Sequence, residues 1–105
     1  MYLIGALLAA PRRYVPLTQS SAIIADMVWL LANADDGLEH VRARTGSHHI
    51  TLVLFLKGES DDAAEAAAGR LCERLVTAVP FLAEWRVHGC WSLDPHESRP
   101  PRRPA

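Results

Sequence analysis

The chain has 105 residues, half of them hydrophobic and 22% charged, with a formal net charge of −1 at pH 7. That balance excludes a disordered chain, and the near-zero charge removes any bulk electrostatic case for binding nucleic acid or a membrane surface. The length suits one domain able to bury a core without metals or disulfides.

Cys72 and Cys90 are too few for a disulfide framework and lack metal-motif spacing. The basic residues are almost all Arg and Ala is abundant, a bias that points to a GC-rich bacterial genome. Met1–Ala10 is apolar, but Arg12 and Arg13 follow it instead of preceding it, the reverse of a signal peptide. It is also too short to span a bilayer. The chain is therefore expected to be cytoplasmic, with no membrane partner.

Tyr2–Ala9, bounded by Pro11, has the composition of a buried strand. From Thr18 to Asn33 the pattern is helical, with Ile24, Met27, Val28 and Leu31 on one face and Gln19, Asp26 and Asn33 opposite. Thr18 or Ser20 can cap its start, and Gly37 supplies a stop. Trp29 falls on the flank of this helix, where it either folds over the sheet edge or marks a second contact.

Leu38–Thr45 and His48–Lys57 bracket Gly46-Ser47, a type II′ hairpin signature that predicts Thr45 opposite His48 and Arg42 opposite Thr51. Alternation puts Val41, Ala43, Ile50, Leu52 and Leu54 on one hairpin face. The other face takes His40, Arg42, Arg44, His49, Thr51, Val53 and Phe55.

Ser60-Asp61-Asp62 opens a second helix and Pro80 closes it. Its inner stripe runs from Ala64 through Leu71 and Cys72 to Val79, with Arg70, Glu73 and Arg74 outside. Glu84–Leu93 alternates as a last strand. Trp85, Val87, Trp91 and Leu93 are expected inward, and Arg86, His88, Cys90 and Ser92 outward.

The order strand–helix–strand, strand–helix–strand predicts an α+β, ferredoxin-like βαββαβ sandwich over residues 1–94. Its four-stranded antiparallel sheet has the first and third strands central and both helices on one face. Residues 95–105 form a Pro/Arg-rich tail that cannot build a core and is expected to be flexible and dispensable for folding. No family motif accompanies this fold pattern, so no activity follows from it.

In such a sandwich the second sheet face is open. The central strands should lay an apolar stripe along it, including Val53 and Phe55, flanked by His40, Arg42 and Arg44 on one side and Arg86 and His88 on the other. A stripe of a few hundred Å² usually marks a contact surface. The leading expectation is a non-catalytic interaction or accessory module that forms a homodimer through Val53 and Phe55. The alternative is a small cofactor-independent enzyme or ligand-binding protein of the dimeric α/β-barrel type. It would use Arg42, Arg86 and His88, with His40, Arg44, His49 and Cys90 nearby, on an anionic or apolar ligand.

Other chemistries fit less well. His48 and His49 are adjacent on a strand and point to opposite faces, so they cannot share one metal ion without a bulge. His88 and Cys90 share the predicted outer face two residues apart, which allows a base–nucleophile pair, but nothing nearby resembles an oxyanion hole. RNA-binding domains that use this fold carry stacking aromatics in the third strand, whereas this chain has His-Ile-Thr-Leu-Val-Leu-Phe-Leu there. No cofactor, metal or nucleic acid is implied. Cys72 in the core and Cys90 on the open face would be separated by the sheet, so two free thiols are expected.

Overall fold

A computed structural model describes residues 1–12 and 17–93. Strand β1 (Tyr2–Ala9) leads to helix α1 (Ser21–Leu31) and a short 3₁₀ turn at Ala34–Asp36. Strands β2 (Leu38–Thr45) and β3 (His49–Leu56) follow, then helix α2 (Asp61–Ala78), a second 3₁₀ turn at Pro80–Leu82, and strand β4 (Arg86–Leu93). The four strands form one antiparallel sheet in the order β2-β3-β1-β4, with the apolar strands β1 and β3 in the centre. This is the expected ferredoxin-like α+β sandwich. The proposed tail lies outside the described residues, as does Arg13. No helix among the described residues is long and apolar enough to cross a membrane.

Local chemistry sets the helix ends. The Ser20 hydroxyl accepts from the Ile23 backbone N–H at 3.4 Å, so α1 starts at Ser21 rather than near Thr18. The helix stops at Leu31, and the chain turns through Ala34–Asp36 to Gly37 at φ 71°. A Cβ on Gly37 would sit 2.7 Å from the Lys57 carbonyl oxygen, so glycine is required there on both counts. At α2 the Ser60 hydroxyl accepts from the Ala63 N–H at 3.1 Å, Asp61 and Asp62 occupy the first turn, and Pro80 prevents continuation.

The hairpin corrects the expected register. Thr45 pairs with Ile50 and Arg42 with Val53, two residues along from the two-residue-turn alignment. The connection runs through Gly46, Ser47 and His48, and the Gly46 N–H donates to the His49 carbonyl at 2.8 Å. Because side chains alternate with period two, an even shift leaves every residue on its expected face.

Both helices cover one face. Ile24 and Val28 of α1, and Ala64, Ala67, Ala68, Leu71, Cys72 and Leu75 of α2, are buried against Ile4, Ala6, Leu8, Ile50, Leu52, Leu54 and Leu56. Full burial of one such Leu or Ile is worth about 1.5–3 kcal/mol, and the alanines let α2 lie close to β1 and β4.

Asp36 is the one buried charged residue among those described. Its Oδ2 accepts from the Asn33 backbone N–H at 2.8 Å and from Arg74 Nη1 at 3.0 Å, and Arg70 Nη2 lies 3.9 Å from Oδ1. Arg74 Nη1 also donates to the Leu31 carbonyl at 2.7 Å, satisfying an open end of α1. Arg74, expected outside, is therefore half-buried and joins the exit of α1 to α2.

Candidate functional site

The open face can be read row by row across β2, β3, β1 and β4 from the strand pairing. His40, Phe55, Leu3 and Leu93 form one row; Arg42, Val53, Gly5 and Trp91 the next; then Arg44, Thr51, Leu7 and Gly89. His49, Ala9 and Arg86 close the sheet at the far end. Phe55, Leu3, Leu93, Val53, Trp91 and Leu7 thus form one apolar block, each side chain half-buried by its neighbours. The Phe55 and His40 rings lie 5.1 Å apart, tilted by 59°.

Trp91 and Leu93 reverse their expected position. The β1–β4 ladder pairs Leu7 with Gly89 but Leu8 with Val87, leaving His88 as an extra residue in a bulge. Val87 and Trp85 face the core as expected, and Arg86 faces outward. Beyond the bulge the alternation flips, so Cys90 and Ser92 turn to the helix side. There the Ser92 hydroxyl donates to Glu65 Oε2 of α2 at 2.8 Å. Cys90 is accordingly not part of the open face, and it forms no outward pair with His88.

Gly5 explains how Trp91 is seated. A Cβ at Gly5 would lie 2.7 Å from Cε2 of the Trp91 indole, so the ring rests directly on the bare backbone of β1. The indole Nε1 is buried and has no hydrogen-bond partner among the described residues. Gly5→Ala should displace the ring and destabilise the fold by about 1–3 kcal/mol, the usual range for overpacking. A neutral or raised urea midpoint would show that the ring is not held there.

The basic residues do not converge on one point. Three strand spacings of about 4.8 Å and four residues of rise at about 3.3 Å put Arg42 and Arg86 roughly 20 Å apart at Cα. Arg42 and Arg86 thus stand on opposite edge strands of the sheet. Arg42 and Arg44 instead border a shallow groove of about 460 Å³ with Ala43, Thr51 and Val53. Arg86 borders a separate depression with Pro11, Arg12 and Glu84. His49 closes the far row with Arg86, across Ala9. Among the described residues no three His, Cys, Asp or Glu side chains come together as metal ligands.

Comparison with family models, curated proteins and solved structures returns no match, so the geometry alone carries the functional reading.

Proposed function

We propose that this domain is a non-catalytic interaction module that pairs with a second copy of itself, sheet face against sheet face. One observation supports it above the rest. Two adjoining rows present Phe55, Leu3, Leu93, Val53 and Trp91 with no charged side chain between β3 and β4. Four strands of eight residues make a face of roughly 19 by 26 Å, about 500 Å² in plan, so full overlap of a pair covers about 1,000 Å² in plan, the lower bound for a specific interface. His40, Arg42, Arg44, His49 and Arg86 fall at the periphery, where an interface is normally polar and hydrated. Sedimentation of the whole chain at tens of micromolar should show a dimer. Monomer alone under those conditions would remove the proposal.

A second reading, a site for a small anion, is favoured by the groove beside Arg42 and Arg44. Neither guanidinium has an ion-pair partner among the described residues. Inorganic phosphate at a hundred times its dissociation constant would stabilise the fold by about 2.7 kcal/mol, a shift of several degrees in Tm. Joint Arg42→Ala and Arg44→Ala substitution should abolish that shift, and Arg86→Ala should keep it. No shift with the unaltered chain would dispose of this reading.

A further inference from the structure

The bulge at His88 brings together two groups that simple strand alternation keeps apart. Cys90 stands opposite Ala6, a fully buried residue, and packs against the core beneath α2. Cys72 projects from the buried face of α2 and is 1% exposed. The two thiols face each other where α2 packs on β4, each exerting the strongest influence on the other, and both are free. Access is unequal. Cys90 is half-buried on an edge strand and Cys72 is enclosed.

We propose that Cys72 and Cys90 form a dithiol site that low-molecular-weight disulfides convert to an intramolecular disulfide, stapling α2 to β4. This goes beyond the pairing of sheets and does not depend on it, since the site lies on the helix-covered side. The Cys72 thiol donates to the Cys90 sulfur, which holds Cys90 below the ordinary thiol range, against burial and the nearby Glu65 and Glu73 carboxylates. That same hydrogen bond, with burial, pushes Cys72 up, so Cys90 is the entering nucleophile.

The Cys90 thiolate attacks one sulfur of the reagent RSSR, forming a Cys90–S–S–R mixed disulfide and expelling RS⁻, which takes up the proton Cys90 released. Capping Cys90 removes the acceptor that held the Cys72 proton. Cys72 then loses that proton and attacks the Cys90 sulfur, expelling the second RS⁻, which is protonated in turn. The protein loses two hydrogens and two electrons, and one RSSR becomes two RSH. Closure brings the two sulfurs to a bond of about 2.05 Å.

The test uses the full chain with glutathione disulfide, followed by alkylation and intact-mass measurement. The unaltered chain should lose both alkylatable thiols, fall in mass by two hydrogens, remain monomeric on a denaturing non-reducing gel, and melt at least about 10 °C higher. Cys72→Ser should stop with one glutathione on Cys90. Cys90→Ser should leave Cys72 reacting at least about tenfold more slowly than Cys90 does in Cys72→Ser. If the mixed disulfide accumulates, both thiols persist, or only interchain bridges form in the unaltered chain, the proposal fails whatever the variants do. Equal reactivity of the two single variants, each checked for folding by circular dichroism, would overturn the assignment of Cys90 as the entry point.

Discussion

On the proposed pairing, Phe55→Asp is expected to leave the domain monomeric, raising the dissociation constant by at least about 100-fold, or about 2.7 kcal/mol. Phe55 lies in the apolar block, with Leu3 on one neighbouring strand and His40 on the other. In an isolated domain the new carboxylate stays at the surface beside His40 and remains hydrated. Under a second copy it would be desolvated without a partner, a penalty of several kcal/mol. A twofold interface contains the substitution twice, which enlarges the effect. Phe55→Leu keeps the apolar contact and should keep the dimer. Sedimentation of the three proteins at matched concentrations decides the matter. A Phe55→Asp chain that still sediments as a dimer would move the interface away from the sheet. The surface to examine then would be α1, where Ile23, Trp29 and Leu30 are 41%, 45% and 74% exposed.

The architecture was legible because each element carried its own signal. Ser60 and Pro80 delimit α2, and the strand–helix–strand, strand–helix–strand order places β1 and β3 at the centre. Face assignment in the hairpin survived a misplaced turn only because the error was an even number of residues. The same logic failed on β4. A single extra residue at His88 reverses the parity of everything after it, exchanging Trp91 and Leu93 with Cys90 and Ser92. A bulge of this kind leaves no periodic mark in one strand, because it is defined by what the partner strand offers. The one available hint was Gly5, bare backbone in a central strand, which suits the close approach of a large ring. The candidate surface was consequently recognised in the hairpin and missed in its β4 third. The dithiol beneath the sheet was missed for the same reason.

Asp36 was illegible for a different reason, and its replacement carries the largest expected loss of stability from a single polar side chain. Sequence patterning reads Asp35-Asp36 before Gly37 as an ordinary polar turn, while Arg70 and Arg74 look like the solvated side of a helix. Their meeting depends on how α1 ends and how α2 crosses it, with Asp36 and Arg74 separated by 38 positions in sequence. Asp36→Ala would remove the acceptor for the Asn33 N–H and leave Arg74, itself 29% exposed, without its carboxylate. Removing one member of a buried pair typically costs 3–5 kcal/mol, and the partial exposure of Arg74 lowers the expectation here to about 2–4 kcal/mol. Asp36→Asn keeps an acceptor oxygen for Asn33 but loses the charge, so it should fall between the unaltered chain and Asp36→Ala. Adding Arg74→Ala to Asp36→Ala should cost less than the sum of the single changes, with a coupling of at least about 1 kcal/mol. Urea midpoints give these values when all chains are compared at one concentration, because the proposed dimerisation would itself contribute to apparent stability. A loss below about 1 kcal/mol for Asp36→Ala, or strict additivity with Arg74→Ala, would mean that water, not the two arginines, balances this carboxylate.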